Sequence, residues 1–291
     1  MTLKEKIQAG KFLVTVEFGP DKGIEVGHLI EIGKAIGSRA DGINVTDLQS
    51  AVMRLGSLAL CIKLKEAGLE PILQMTCRDR NRLSLQSELL SAAAFGIENV
   101  LALTGDHPKL GDDPAAKPVF DLDAVQLLAV TRKLKKGVDS AGNKLAEPFP
   151  HFCLGAVVNP GKDPLEPELF KMEKKIAEGA EFFQTQAVYD VEKFEKFIKS
   201  VEGLKVPVMA GIVLLKSAGM AKYMNEHVSG VTVPEKYIKR MADAPKEKRV
   251  DESVAIAAEL IKDMKGMCRG VHIMPIGWEK HLLKVLDASG L

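Results

Sequence analysis

Short runs of apolar residues alternate along the chain with longer stretches in which apolar positions recur every three or four residues. The short runs are typical of strands buried on both faces, and the longer stretches are typical of amphipathic helices. The runs that predict strands are KFLVTVEF, DGINVT, PILQMT, NVLALT, HFCLGAVV, EFFQTQAV, PVMAGIV and GVHIMPI. Helical patterns lie between them, over residues 26–38, 52–67, 82–95, 122–136, 166–178, 190–202, 216–226 and 251–265.

The order of these elements predicts an α/β fold in which strand and helix alternate throughout. In a chain of 291 residues this order predicts a single (β/α)8 TIM barrel over residues 1–291, with parallel strands. A doubly wound open sheet is the alternative, because a count of strands does not show closure. The first strand is followed by EFGPDKGIEVG, which lacks the G-x-G-x-x-G phosphate turn of dinucleotide-binding sheets. Long loops are expected at about 105–121 and 227–250, and a solvated turn at 137–150.

Charge and cysteine content narrow the partners and the compartment. The chain has 40 basic and 39 acidic side chains, so no overall field attracts nucleic acid or an anionic membrane. No apolar stretch approaches the roughly 20 residues needed to cross a bilayer, which predicts no membrane insertion. The four cysteines are far apart and no secretory segment is visible, so we expect a cytoplasmic protein. No grouping of side chains predicts a metal site or an iron–sulfur cluster.

Polar side chains occur where the apolar runs end. Because the carboxyl ends of barrel strands meet at one face, these residues are the candidates for a site. A lone strand-end carboxylate is equally well explained by solvation, and a lone histidine is more often a hydrogen-bonded core residue. Two carboxylates among several amides and hydroxyls favour a small-molecule site. Gly105 fits a close approach of the backbone to a flat ligand. The polar set is Glu17, Asn44, Thr46, Asp47, Gln74, Thr76, Thr104, Asp106, Gln184, Gln186 and His272.

Five segments carry a resemblance to a known family: VTVEFGP, INVTDLQSA, LQMTCRDRNR, VLALTGDHP and GAEFFQTQAVYD. In order and spacing the chain resembles methylenetetrahydrofolate reductases, especially the short flavin-bearing catalytic subunits of anaerobic one-carbon metabolism. The resemblance runs from about residue 10 to the carboxyl end. The strand-end Glu, the T-G-D turn after strand four and the T-Q of strand six are specific only in combination.

The resemblance implies a (β/α)8 barrel that holds a flavin across its strand ends. It also implies reduction of 5,10-methylenetetrahydrofolate to 5-methyltetrahydrofolate by hydride transfer from the reduced flavin. By position in these motifs, Glu17 would be the general acid that protonates folate N10 as the ring opens. Asp106 would be a catalytic residue that contacts both flavin and folate, and Gln186 would bind the folate. The cofactor-binding positions implied are Thr46, Gln74, Met75, Thr76, Thr104, Gly105, Asp106, Glu168, Lys171 and Lys175.

The last two of these positions allow two interpretations. Lys171 and Lys175 are four residues apart in a predicted helix, so they share one face. They would form either a clamp for the cofactor phosphate or a solvated stripe.

Three positions depart from the stand-alone bacterial members of the family. Those enzymes have tyrosine in place of Asp47, arginine in place of Thr104 and a nicotinamide-stacking phenylalanine in place of Ala218. The missing ring implies that a separate iron–sulfur or other electron-donating subunit supplies electrons, and the missing arginine makes FMN the alternative to FAD. A homo-oligomer is left open.

Two other functions fit a barrel with polar strand ends: a non-redox pterin barrel such as a folate–corrinoid methyltransferase, and a non-catalytic subunit of a redox complex.

Overall fold

Eight parallel strands form a closed barrel in sequence order in the computed structural model, which describes residues 1–291. The last strand pairs with the first, with Val271 opposite Val14, so the sheet has no edge and the open-sheet alternative is wrong. Each strand coincides with a predicted apolar run, and both of its faces are covered, by side chains inside and by helices outside. The strands are β1 (Leu13–Phe18), β2 (Gly42–Val45), β3 (Pro71–Thr76), β4 (Asn99–Leu103), β5 (Cys153–Val158), β6 (Phe182–Ala187), β7 (Val208–Val213) and β8 (Gly270–Met274).

Helices surround the barrel and follow the predicted pattern closely. The predicted helices are observed as α2 (Gly27–Ile36), α3 (Ser57–Glu66), α4 (Arg82–Ala94), α5 (Ala124–Lys135), α6 (Glu166–Ala177), α7 (Val191–Val201), α8 (Ala218–His227) and α10 (Arg249–Met264). Three further helices are α1 (Leu3–Gln8), α9 (Glu235–Asp243) and α11 (Leu282–Ser289). None of the helices combines the length and the apolar character that a membrane span requires.

The segment 227–250 differs from its prediction as a long loop. It contains α9, which buries Tyr237, Ile238 and Met241 against the rest of the protein. Prolines at 234 and 245 bound this short helix, and they made the segment look irregular in the sequence. The predicted loop 105–121 contains only one short 3-10 turn, Pro108–Leu110.

The amino-terminal half of the barrel interior is apolar and filled. Phe182 occupies space that exists because residue 155 is glycine: a Cβ at Gly155 would lie 2.2 Å from the Phe182 ring. Leu3 of α1 packs into the same cluster and closes this end of the barrel. The barrel interior is therefore open to a ligand only from its carboxyl end. The cluster comprises Leu3, Leu13, Ile72, Leu101, Cys153, Phe182 and Met209.

A hydrogen-bonded polar layer lies above the apolar one. Asn44 and Gln184 bond reciprocally across the barrel, with N···O distances of 2.8 and 2.9 Å. Gln184 Nε2 also donates to Thr15 Oγ1 at 3.0 Å. Because these buried amides satisfy one another, the layer ties β1, β2 and β6 together beneath the carboxyl end of the barrel.

Candidate active site

A cavity of about 320 Å³ opens at the carboxyl ends of the strands. This volume is within the roughly 300–1,000 Å³ typical of ligand pockets. All strands except β7 contribute to the lining, either directly or through the loop that follows the strand. A larger cavity of about 690 Å³, bounded in part by Gly10, Lys205 and Arg269, lies at the opposite end and holds none of the strand-end polar residues. We therefore place the candidate site at the carboxyl end, which we call the mouth.

Glu17, near the end of β1, lines the mouth with only 7% of its surface exposed. Its carboxylate accepts hydrogen bonds from Gln74 Nε2 at 3.0 Å and from Gln49 Nε2 at 3.3 Å. His272 Nε2 lies 3.6 Å from the same carboxylate, and no lysine or arginine pairs with it. A carboxyl group held by neutral amides, and not fixed by a permanent cation, is suited to exchanging a proton with a ligand.

His272 is held in place by the polar layer. Its Nδ1 lies 3.0 Å from Thr15 Oγ1, and that hydroxyl accepts from Gln184 Nε2. This contact holds the imidazole ring with Nε2 facing Glu17. His272 is thus buried and hydrogen-bonded, as the sequence interpretation expected, and it also lines the cavity with its Nε2 toward the Glu17 carboxylate.

Asp47 forms a buried ion pair with Arg80 beside the mouth. Asp47 is 5% exposed, and its Oδ2 accepts from Thr76 N at 2.7 Å, from Thr76 Oγ1 at 2.9 Å and from the Arg80 guanidinium. Arg80 also donates to Glu88 at 2.6 Å. Burial alone would lower the pKa of Arg80, but Asp47 and Glu88 outweigh it, and the net pKa is raised. The carboxylate at 47 therefore anchors the end of β3.

Arg78 fixes the backbone of two loops at the mouth. The residue is 2% exposed, and its guanidinium donates to Leu48 O at 3.2 Å and to Asp106 O at 3.4 Å. The first of these loops has positive φ at three non-glycine residues, 48°, 57° and 58° at Leu48, Ser50 and Ala51. Such backbone is costly, and it persists where surrounding contacts enforce it, which occurs most often at functional sites.

The T-G-D turn after β4 has the conformation that the sequence suggested. Gly105 has φ +92°, and a Cβ there would lie 3.1 Å from both Thr76 Cβ and Arg78 Cβ. The glycine lets the chain turn close against β3, and it leaves Asp106 exposed on the rim of the cavity. Gly105 was expected to allow a close approach between the backbone and a ligand. In the structure it also allows the backbone to approach Thr76 and Arg78 closely.

The structure brings most of the sequence-predicted residues to the mouth. The cavity is lined by Glu17, Thr46, Gln74, Thr76, Gly105, Asp106 and Gln186. Thr104 and Met75 lie outside that lining. Thr104 Oγ1 accepts from Ala124 N, at the start of α5, at 3.2 Å. Met75 is fully buried in the core between barrel and helices.

The predicted residues on α6 lie outside the lining of the mouth. Glu168 accepts from Asn159 N at 3.0 Å and so holds the loop after β5. Lys175 Nζ donates to Val157 O at 2.6 Å, and burial lowers its pKa, with Glu168 raising it and Lys171 lowering it. Lys171 is exposed. Of the two lysines, Lys175 is half-buried and bonds to a residue that lines the mouth, and Lys171 faces solvent.

Three residues at the site have roles that the sequence did not indicate. Gln49 bonds to the Glu17 carboxylate, and Arg78 and Arg80 hold the loops around the site. The only signal for the arginines was the run T-C-R-D-R directly after β3. The sequence shows that these charged residues lie close to a strand end, but it does not show that they are buried.

The fold and the mouth define a (β/α)8-barrel protein with a polar small-molecule site at its strand ends. The family model described as methylenetetrahydrofolate reductase matches residues 2–290. The chain belongs to the methylenetetrahydrofolate reductase family.

Relatives and a solved structure extend this comparison. Methylenetetrahydrofolate reductase 2 of Schizosaccharomyces pombe is 28% identical over 242 residues, which cover 75% of this chain and 35% of the relative. The probable methylenetetrahydrofolate reductase (NADPH) of Caenorhabditis elegans is 23% identical over 240 residues, covering 78% and 33%. The chain thus spans about a third of the length of these relatives. A Clostridium thermocellum protein described as binding two copies of 5-methyl-5,6,7,8-tetrahydrofolic acid superposes with a TM-score of 0.63 at 19% identity, covering 99% of this chain and 97% of that chain.

Proposed function

We propose that this protein reduces 5,10-methylenetetrahydrofolate to 5-methyltetrahydrofolate with a bound flavin. The observation that carries the proposal is a buried carboxyl group, Glu17, at a strand end of the mouth, held by two amides and beside His272, with no lysine or arginine paired to it. Family membership supports the reaction class. The Clostridium thermocellum neighbour is described as binding 5-methyltetrahydrofolate, which is the product of this reaction.

The residues at the mouth fit a flavin. Thr46 Oγ1 is buried without a hydrogen-bond partner although Thr46 lines the cavity, so a ligand atom is its natural partner. Gln74 and Thr76 add neutral polar groups suited to a flavin ring edge, and Gly105 and Asp106 border the same space. FAD is the proposed cofactor and FMN the alternative. When bound, the flavin would supply the hydride that the substrate carbon accepts.

The protein's own groups would manage protons and orientation. Glu17 would deliver a proton to N10 as the folate ring opens, and Gln49 and Gln74 would hold its carboxyl group in place through hydrogen bonds to its two oxygens. His272 Nε2, 3.6 Å from Glu17, would donate a hydrogen bond to the carboxylate that remains after that transfer. Gln186 and Asp106, both exposed to the cavity, would bind the pterin.

The purified protein is expected to be yellow and to release FAD or FMN on heating. The unpartnered Thr46 hydroxyl and the polar strand ends are the basis for this expectation. Chromatography of the released chromophore identifies the flavin. A colourless protein that binds neither FAD nor FMN in titration contradicts the redox function and favours a non-redox folate barrel.

Replacing both Lys171 and Lys175 with Met is expected to weaken flavin binding about tenfold, the effect of losing a charge-assisted contact to phosphate. Met retains the apolar stem of each lysine, so the fold should persist. Flavin retention on dilution, followed by fluorescence, measures the change. Lys196→Met, an exposed lysine on α7, is the matched control. Equal retention in both variants supports the solvated-stripe interpretation.

We also propose that a separate iron–sulfur or other electron-donating subunit reduces the flavin. The four cysteines are buried, and burial raises the pKa of Cys77 and Cys153 to about 12, which keeps these thiols protonated. Ala218, at the start of α8, offers no ring to stack on a nicotinamide. NADH alone is therefore expected to reduce the flavin slowly in anaerobic stopped-flow. Rapid reduction by NADH at low concentration contradicts this proposal.

A further inference from the structure

Arg78 is the only lysine or arginine among the residues that line the mouth. Three carboxylates share this lining, those of Glu17, Asp47 and Asp106. Asp47 is balanced by Arg80, which lies outside the lining. Neither of the other two carboxylates forms an ion pair with a lysine or an arginine. The one permanent positive charge that borders the cavity is therefore the guanidinium group of Arg78.

The hydrogen bonds of this buried guanidinium leave one donor without a partner. A guanidinium group has five N–H groups, one on Nε and two on each Nη. Nε donates to the Asp79 carboxylate at 2.9 Å, and Nη2 donates to the same carboxylate at 2.8 Å and to Leu48 O at 3.2 Å. Nη1 has a single long bond, to Asp106 O at 3.4 Å, so its second N–H has no acceptor within the protein. Buried donors without partners are rare, and a ligand acceptor is the natural partner of this one.

Asp79 pairs with Arg78 from the solvent side. Its side chain is 33% exposed, compared with 2% for Arg78, and it does not line the mouth. Because water and salt screen an exposed charge more than a buried one, Asp79 offsets the guanidinium charge only in part. The mouth therefore borders the positive end of this ion pair.

We infer that Arg78 donates a hydrogen bond to the bound flavin and raises its reduction potential. The inference rests on the proposed function, because it takes the flavin to lie in the mouth beside Gly105 and Asp106. A flavin ring that takes up two electrons and one proton carries a negative charge. A cation beside the ring stabilises this anion relative to the neutral oxidised ring, and the effect is stronger where water is excluded. Arg78 would thus bind the cofactor in addition to supporting the loops.

Arg78→Met is expected to lower the reduction potential of the bound flavin. Met retains an apolar stem but has neither the charge nor the donor. The ratio of reduced to oxidised flavin at a given applied potential should fall about tenfold, which corresponds to about 30 mV for a two-electron couple. Arg78→Lys keeps the charge and should restore most of the loss. Arg82→Met is the matched control, because Arg82 is an exposed arginine outside the lining of the mouth.

Asp79→Asn is a second variant, which leaves Arg78 in place. The Asp79 side chain reaches solvent, so the fold should tolerate the substitution. Because the guanidinium charge is then no longer offset, reduction of the flavin should become about threefold more favourable, which corresponds to about 15 mV. Asp113→Asn, at an exposed carboxylate in the loop after β4, is the matched control. A residue that only supports the loops would not give shifts of opposite sign at positions 78 and 79.

The test is an anaerobic reductive titration of the FAD-saturated full chain against a reference dye, which measures the potential without folate or an electron-donating partner. A lower potential in Arg78→Met and a higher one in Asp79→Asn, with both controls unchanged, support the inference. If Arg78→Met does not fold, the Asp79→Asn result decides alone. An unchanged or lowered potential in Asp79→Asn overturns the inference and leaves the proposed function standing. Failure of the wild-type chain to bind FAD or FMN overturns both.

Discussion

Replacement of Glu17 by Gln is expected to slow the folate half-reaction by about 10²- to 10⁴-fold, the usual contribution of a positioned general acid. Gln preserves the shape of Glu17 and can accept a hydrogen bond from one of the two amides, Gln49 or Gln74, at its single oxygen, but it has no acidic proton to deliver. Reduction of the flavin requires no proton at the folate, so that half-reaction should proceed at nearly the native rate. The variant therefore separates the two halves of the catalytic cycle.

Stopped-flow absorbance of the flavin measures each half-reaction separately. Glu25→Gln is the control, because Glu25 is an exposed carboxylate in the loop that follows β1. It should change neither rate. Equal slowing of both half-reactions by Glu17→Gln, or of neither, would assign Glu17 a structural role instead.

Asp47→Asn is expected to lower the free energy of unfolding by about 2–3 kcal/mol. The substitution removes the charge that faces Arg80 in a largely buried site and weakens the bonds from the Thr76 amide and hydroxyl. Loss of one partner from a fully buried pair costs about 3–5 kcal/mol, and the expected value is smaller because Arg80 retains Glu88. Urea denaturation with an unchanged slope would give the difference directly.

A double-mutant cycle gives this prediction its control. Arg80→Gln combined with Asp47→Asn should cost less than the sum of the single substitutions, because both remove the same interaction. Asp251→Asn breaks an exposed pair with Lys284 and should leave stability unchanged within error. Additive losses at 47 and 80 would show that the buried pair does not anchor the end of β3.

The fold was predictable because each barrel strand is buried on both faces. Runs such as PILQMT stand out against the helical stretches, and β3 has the predicted bounds, Pro71–Thr76. The polar residue that ends a run is equally visible, so Glu17, Gln74 and Asp106 could be named as candidates. Helix α9 was missed because its apolar positions are few and prolines flank it.

The contacts within the site were less accessible to sequence reasoning. Gln49 lies in a loop in which Leu48, Ser50 and Ala51 have positive φ, and no local rule predicts that conformation at residues other than glycine. Burial of Arg78 depends on two carbonyl groups from distant loops, Leu48 O and Asp106 O. Such contacts arise only once the barrel has closed and brought distant strand ends together.

The proposed reaction of this barrel is the transfer of a hydride from a bound flavin to methylenetetrahydrofolate. Its most direct test is to reduce the flavin with dithionite under anaerobic conditions and then add 5,10-methylenetetrahydrofolate. The absorbance of oxidised flavin is expected to return, and 5-methyltetrahydrofolate is expected to form in equal amount. A flavin that stays reduced while the folate is recovered unchanged would contradict it.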